Sequence, residues 1–131
     1  MRYFAYMILL LFATACSSNS QSPVAKVDVT INSSRQPEVI EAIRAYGEKN
    51  SFKIGYRDTL PKQGRKVIQI TLTREDGVVV SASNFMDENI LQIFFYSYQK
   101  SGEWTKVKSD IVKSINSVIA DKESIKESNI N

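Results

Sequence analysis

The sequence predicts one α+β domain, in which an antiparallel sheet of about five strands carries helices on one face. Three observations lead to this prediction. Several short segments alternate between apolar and polar residues, which is the pattern of half-buried strands. Two longer segments repeat apolar residues at intervals of three and four, as amphipathic helices do. Short turns separate consecutive strands, and short turns join antiparallel neighbours.

The first strand and the first helix follow a polar stretch. Alternation over residues 25–32 predicts a strand, and helical spacing over residues 36–49 predicts a helix that ends near Asn50. Pro37 is tolerated in the first helical turn, where its missing N–H would have no partner within the helix. The apolar positions that define these elements are Val27, Val29 and Ile31 in the strand, and Val39, Ile40, Ile43 and Tyr46 in the helix.

Three strands follow the first helix. Strand two is predicted at 52–57 and strand three at 66–74, and residues 58–65 are predicted to form a loop because they contain both Pro and Gly. The turn at residues 75–77 leads into strand four at 78–85. These segments are expected to form a continuous antiparallel meander.

The register of the hairpin between strands three and four follows from the apolar pattern. A two-residue Asp-Gly loop would place Leu72 opposite Ser81. A three-residue loop with Gly77 in the left-handed conformation places Leu72 opposite Val80 and keeps the apolar side chains on one face. The sequence therefore predicts the three-residue loop with a bulge.

The last two predicted elements are a fifth strand and a long helix. The chain turns at residues 86–88, and strand five spans about 89–98 with apolar residues on both faces, which predicts a central strand or a second covered surface. The helix is predicted at 103–121, and the polar residues 122–131 are predicted to form a flexible tail. The helical stripe consists of Trp104, Val107, Ile111, Ile115, Val118 and Ile119.

The predicted element order is β-α-β-β-β-β-α. A long C-terminal helix that lies across an antiparallel sheet resembles the helix-grip domains. Accessory lipoproteins of the outer-membrane barrel-assembly machinery are similar in this element order. Because unrelated functions share one fold, this resemblance alone does not identify a function.

The first 15 residues have the pattern of an export signal. Arg2 supplies a positive charge, and residues 3–12 form an apolar segment that is too short to span a bilayer as a helix. Ala13-Thr14-Ala15 provides the small residues that a signal peptidase accepts, and Cys16 follows directly. Residues 16–24 are then predicted to be a polar tether ahead of a domain at 25–121.

This segment resembles the lipobox of bacterial lipoproteins. The resemblance implies that the chain is cut before Cys16 and that its thiol carries diacylglycerol with fatty acyl chains such as palmitate. Ser17, which is not acidic, implies transfer to the outer membrane, with the domain facing the periplasm. The pattern departs from the usual lipobox because Ala13 stands where leucine is usual. Ala13-x-Ala15 also fits the ordinary signal peptidase, so a soluble secreted protein remains the alternative.

Composition excludes several function classes. The 131 residues contain no histidine and one cysteine, so Ser-His-Asp and Cys-His sites and an internal disulfide cannot form. A zinc enzyme is not expected either, because histidine is the commonest metal ligand. The formal charge is +3, and +2 once Arg2 is removed with the signal, which is too small to indicate nucleic-acid binding. We expect no enzyme, no cofactor and no metal.

Aromatic residues on the second face of strand five are the first candidate site. Exposed tyrosine suits a partner surface, because it buries a large area at low entropic cost and keeps a hydroxyl for hydrogen bonding. The alternative is that a helix or loop covers this face, or that tyrosine simply suits strands. The candidate residues are Phe94, Tyr96 and Tyr98.

Basic residues around the predicted loop are the second candidate site. They could contact anionic lipid headgroups, phosphorylated glycans or an acidic protein face, and the alternative is an ordinary solvated loop. The candidate residues are Arg57, Lys62, Arg65 and Lys66.

Three other features have structural explanations. Glu75-Asp76 and Asp87-Glu88 lie at predicted turns and do not match a calcium loop, so turn formation explains both pairs. Trp104 begins the last predicted helix and is expected to anchor it to the sheet.

Three hypotheses about function follow. The first is a non-enzymatic, membrane-anchored envelope lipoprotein that binds an envelope protein, as an assembly factor or accessory subunit. The second is a periplasmic carrier of an apolar or glycan ligand, held between helix and sheet. The third is an inhibitor or immunity protein directed against a toxin or hydrolase. The sequence identifies neither the partner nor the oligomeric state.

Overall fold

A computed structural model describes residues 22–62, 65–99, 103–120 and 122–130. The predicted signal segment and the lipidation candidate Cys16 lie outside the described residues. The strands are β1 (Ala25–Thr30), β2 (Lys53–Lys62), β3 (Arg65–Thr73), β4 (Val78–Asp87), β5 (Ile90–Ser97) and β6 (Ser124–Asn129), and the helices are α1 (Gln36–Lys49) and α2 (Trp104–Asn116).

The described chain forms one α+β domain with a single antiparallel sheet and two helices, as predicted. The strand order is β2-β3-β4-β5-β1-β6, and every neighbouring pair is antiparallel. β5 is therefore a central strand, which confirms that part of the prediction. β2 and β6 form the two edges of the described sheet.

The prediction of about five strands is wrong, because the described sheet has six. The additional strand, β6, lies in the segment 122–131 that the sequence assigns to a flexible tail, and it pairs along the whole of β1. Its composition is polar, and Ile125 is its one apolar residue. The strand is held by backbone hydrogen bonds to β1 rather than by an apolar face, so no alternation reveals it.

The second helix is shorter than predicted. α2 ends at Asn116, and the Ser117 hydroxyl donates a hydrogen bond of 2.6 Å to the Ser114 carbonyl. Such local side-chain bonds compete with helix continuation. The following loop is tied to the start of α1, because Arg35 Nη2 donates to the Val118 carbonyl at 2.8 Å. This loop returns the chain to the edge of β1.

One face of the sheet and both helices share a single hydrophobic core. The predicted register is confirmed, since Leu72 lies opposite Val80 and Ile70 lies opposite Ala82. Gly77 adopts φ +84°, the left-handed conformation that the three-residue turn requires. The fully buried core side chains of the sheet include Val27, Val29, Ile70, Leu72, Leu91, Ile93 and Phe95, and those of the helices include Ile43, Ile111 and Ile115.

The predicted loop at 58–65 is also wrong. β2 extends to Lys62 and β3 begins at Arg65, so most of the segment is a paired hairpin. Pro61 is compatible with a strand here because β2 is an edge strand, whose outer N–H groups need no sheet partner.

β4 contains a bulge near its end. Ser83 pairs with Gln92 and Asp87 pairs with Ile90, so β4 has two more residues than β5 between these pairs. The chain consequently turns after Asp87 rather than at 86–88 as predicted. A bulge breaks the alternation of side chains, and Phe85 within it is 47% exposed.

Two buried amides connect the bulge to the first helix. The Asn84 side chain acts like a backbone unit of the ladder, because its Oδ1 accepts from the Ile68 N–H at 2.9 Å and its Nδ2 donates to the Lys66 carbonyl at 3.1 Å. Asn84 Nδ2 also donates to Gln36 Oε1 at 3.1 Å. Gln36 Nε2 in turn donates to the Glu88 carbonyl at 2.7 Å. The pair joins α1, β3, β4 and the turn after β4.

We expect Asn84→Ala to lower the free energy of unfolding by about 2–4 kcal/mol, because it leaves several buried polar groups without their hydrogen bonds. Urea denaturation measures the change. Ser83→Ala, on the other face of the same strand, is the control and is expected to change it by less than about 0.5 kcal/mol. A loss for Asn84→Ala as small as the control's would contradict a structural role for the amide pair.

Candidate interaction surface

The second face of the sheet is the candidate site, because no helix of the described chain packs against it. Along each strand every second side chain points into the core, and the side chains between them form this second face. At its centre Tyr96 lies opposite Val79, and Phe94 lies between Ser81 and Lys26. This open face, as we call it, is formed around Lys26, Asp28, Gln69, Thr71, Val79, Ser81, Ser83, Gln92, Phe94 and Tyr96.

The aromatic residues of β5 are placed as the sequence predicts. Phe94 and Tyr96 are half-buried by their strand neighbours, and Tyr98 beyond the strand end is 52% exposed. The rings of Tyr96 and Tyr98 stack, with centroids 6.1 Å apart and an interplanar angle of 18°. Burial, and then the proximity of Tyr98, raise the pKa of Tyr96 above its ordinary value. The Tyr96 hydroxyl is therefore neutral at physiological pH and can both donate and accept a hydrogen bond.

A charge pair lies beside the aromatic residues. Lys26 Nζ is 3.3 Å from Asp28 Oδ2, so the two charges largely neutralise each other. The second carboxylate oxygen, Asp28 Oδ1, is buried without a hydrogen-bond partner among the described residues. The centre of the open face is thus apolar and hydroxyl-rich, with little net charge.

The basic candidates do not form one surface. Arg57 pairs with Gln69 and belongs to the open face, whereas Lys66 is on the helix side, where its Nζ is 2.8 Å from Asp58 Oδ2. This contact raises the pKa of Lys66 above its ordinary value. Lys62 and Arg65 are a pair at the end of the hairpin, and their side chains lie outside the described residues. Because side chains alternate between the two faces of a strand, the hairpin places Arg57 and Lys66 on different faces, whereas a loop could have brought them together.

Glu75 and Asp76 lie in a turn, as expected, whereas Asp87 is the last residue of β4 and Glu88 begins the turn that follows. Arg74 donates two hydrogen bonds to Asp76, from Nε at 3.0 Å and Nη2 at 2.8 Å. Asp87 Oδ1 accepts from the Asn89 N–H at 2.8 Å, which stabilises the turn after β4. Within the described residues no group of three or more metal-binding side chains comes together. Trp104 is half-buried and packs against the core at the start of α2.

Two surface features were missed from the sequence. The bulge of β4 exposes Phe85 and Met86, the latter at 72%. A groove also lies between α2 and β6. Neither has a local sequence signal, because the bulge depends on a buried amide and the groove on a strand of polar composition.

Comparison with known proteins provides no further assignment. The chain matches no protein-family model, and no curated protein is significantly similar to it. In the part of the chain that the structure describes, neither helix has the length and apolar character needed to cross a membrane.

The Arg74–Asp76 contact predicts a pH-dependent contribution to stability. The hydrogen bonds from Arg74 lower the pKa of Asp76 below its ordinary value of 3.8. A lowered folded-state pKa stabilises the fold above pH 3.8, and this stabilisation is lost as the pH falls through the folded-state value. We expect Asp76→Asn to lower the free energy of unfolding by about 1 kcal/mol at pH 7, because the pair is partly exposed.

Urea denaturation of the wild-type chain and Asp76→Asn over the acidic range measures this effect. The difference between them should shrink as Asp76 becomes protonated, while Glu75→Gln in the same turn changes little. A difference that stays constant down to the lowest pH would show that the charge of Asp76 is not its source.

Proposed function

We propose that this chain is a non-enzymatic, lipid-anchored protein of the bacterial envelope that acts by binding another protein through its open face. The observation that carries the proposal is the contrast between the two faces of the sheet. One face is filled by two helices, and the other presents Phe94, Tyr96 and Tyr98 without a covering helix in the described chain. Together with the helix-grip-like arrangement, this leaves the uncovered sheet as the natural docking surface.

The chemistry of the open face fits a protein partner. Aromatic residues supply apolar contact area at low entropic cost, and the surrounding hydroxyl and amide groups can form hydrogen bonds at the rim. The Lys26–Asp28 pair adds little net charge. We therefore infer a partner whose contact surface is apolar at its centre.

The lipid anchor supports the same proposal. The lipid that the lipobox-like segment would direct onto Cys16 would attach the chain to the outer membrane, and a short polar stretch separates Cys16 from β1. Confinement to a membrane surface raises the effective concentration of the domain near partners in that membrane. A weak interface on the open face would then be sufficient for binding.

The carrier alternative has less support. A ligand between helix and sheet needs space, and the core side chains at that position, Phe95, Val107 and Ile111, are 0–1% exposed and belong to one packed cluster. The inhibitor or immunity alternative would use the same open face against a toxin or hydrolase. It differs from the assembly-factor proposal only in the identity of the partner.

The first prediction concerns the anchor. We expect the mature chain to begin at Cys16 and to carry a diacylglyceryl group on the thiol, so mass spectrometry of the purified chain should show this adduct and palmitate labelling should be positive. Cys16→Ser should abolish the labelling. A mature chain with an unmodified Cys16 thiol would instead identify an ordinary secreted protein and remove the membrane from the proposal.

The second prediction concerns the open face. A photo-reactive analogue at position 96 should cross-link to one dominant envelope protein in intact cells. A matched analogue at Glu41, on the exposed surface of α1, is the control and should not give that adduct. Mass spectrometry identifies the product and thereby separates an assembly partner from a toxin or hydrolase.

Other results would contradict the open-face proposal. Adducts with lipid or glycan alone would favour the carrier. Equal adducts from positions 96 and 41 would show that binding is not specific to the open face. Because each experiment reads a different property, failure of the anchor prediction and failure of the surface prediction are distinguishable.

A further inference from the structure

β6 presents an edge of the sheet, and its even-numbered side chains lie on the same side of the sheet as the open face. In the described chain it pairs on one side only, with β1. The Ile130 N–H donates to the Val24 carbonyl at 2.9 Å, and this fixes which residues of β6 direct their backbone groups towards β1. These are the even-numbered residues, including Lys126 and Ser128. The N–H and C=O groups of Ile125, Glu127 and Asn129 therefore point outwards, where an added strand would pair.

A groove of about 350 Å³ runs beside this edge, between α2 and β6. Lys108 lines the groove, and its Nζ is 2.9 Å from Asn129 Oδ1 and 3.5 Å from Glu127 Oε1. Trp104 and Val112 line the groove and are half-buried, so they offer apolar contact surface. An extended chain paired with β6 would place every second side chain into this groove.

The charges around the edge favour an acidic occupant. Lys113 lines the groove, and Lys126 lies on the opposite face of β6. Both are exposed, and neither forms an ion pair with another described residue. Lys126 lies opposite Asp28 of β1, whose Oδ2 contacts Lys26, and Glu127 already contacts Lys108. A carboxylate on the added strand opposite Lys126 would form a cross-strand ion pair.

A second copy of the chain fits this edge poorly. Consider two β6 strands that pair antiparallel and are related by a two-fold axis. Residues directly opposite each other must have side chains on the same face of the sheet. The axis must therefore lie between one residue and the same residue of the other copy. The two central registers then place Lys126 opposite Lys126 or Glu127 opposite Glu127. Like charges directly opposite each other are destabilising. The two registers that would pair the most residues are thus disfavoured for self-pairing, whereas a complementary strand can pair along the whole edge.

We propose that an extended segment of a partner protein, with acidic and apolar residues in alternation, adds to β6 as a further strand. Its apolar side chains enter the groove against Trp104 and Val112, and its acidic side chains lie on the other face near Lys126. The groove lies on the helix side of the sheet, so binding does not need Phe94 or Tyr96 on the open face, and it does not require the lipid anchor.

The test begins with a phage-displayed library of random dodecapeptides, selected on the full-length chain and depleted on Ser109→Trp. Ser109 is exposed and lines the groove, so the indole blocks the groove without disturbing the core. We expect the enriched peptides to alternate acidic and apolar residues. Binding of the synthesised peptides is then measured by calorimetry.

Glu127→Pro tests the backbone contribution. Proline removes an outward N–H and leaves the bonds to β1 in place, which edge strands tolerate. Glu127→Ala is the matched control, because it loses the same carboxylate but keeps the N–H. We expect peptide affinity to fall about tenfold for Glu127→Pro relative to Glu127→Ala, since at least one intermolecular hydrogen bond is lost. Tyr96→Ser on the open face should leave the affinity unchanged.

Amide hydrogen exchange by NMR provides the decisive pattern. Strand addition should slow exchange at Ile125, Glu127 and Asn129 when the peptide binds, with no change at Lys126 and Ser128, whose N–H groups are already bonded to β1. Three results would overturn the proposal. The first is a selection in which no peptide is enriched on the full-length chain relative to Ser109→Trp. The second is a set of selected peptides that bind without slowing exchange at the three amides. The third is a homodimer in which these amides are protected in the absence of peptide.

Discussion

The buried amide pair formed by Gln36 and Asn84 is the constraint on which the rest of the domain depends. Both side chains are almost completely buried, so each polar group must find a partner inside the protein. They meet this requirement by joining the start of α1 to the Lys66 carbonyl of β3 and the Glu88 carbonyl after β4. The same hydrogen bonds connect β3 and β4 directly after the last residue pair of the β3–β4 ladder, Gln69 and Ser83. Asn84 also lies within the bulge of β4, next to the exposed Phe85.

A second consequence is the asymmetry of the sheet. The core uses one face of each strand, and the helices fill that side completely around Phe95 and Ile111. The domain therefore has little room for an internal ligand near these residues. What it offers is surface: an aromatic open face centred on Tyr96, and an edge at β6 with a groove beside it. Both features suit recognition of another chain more than the chemistry of a small substrate.

The position of the N-terminal residues relates these surfaces to the proposed anchor. Ala25 at the start of β1 lies opposite Asn129 at the end of β6 and Phe95 near the end of β5. The chain thus enters the domain at the end of the sheet that carries Tyr98 and one end of the α2–β6 groove. If Cys16 is lipidated as proposed, the polar stretch that follows Cys16 joins the domain at this end of the sheet.

The sequence alone determined those elements in which the pattern of apolar residues or a required glycine indicates the structure. These are α1 with its bounds, the central apolar strands, and the turn that needs Gly77. Phe94 and Tyr96 lie on the predicted second face of β5. Tertiary structure decided the rest. β6 has a polar composition and forms because the edge of β1 is available for pairing. Pairing along the β2–β3 hairpin places Arg57 and Lys66 on opposite faces of the sheet. Side-chain patterns indicate local burial and turn geometry. Backbone pairing between strands depends instead on which strand edges the folded chain brings next to each other.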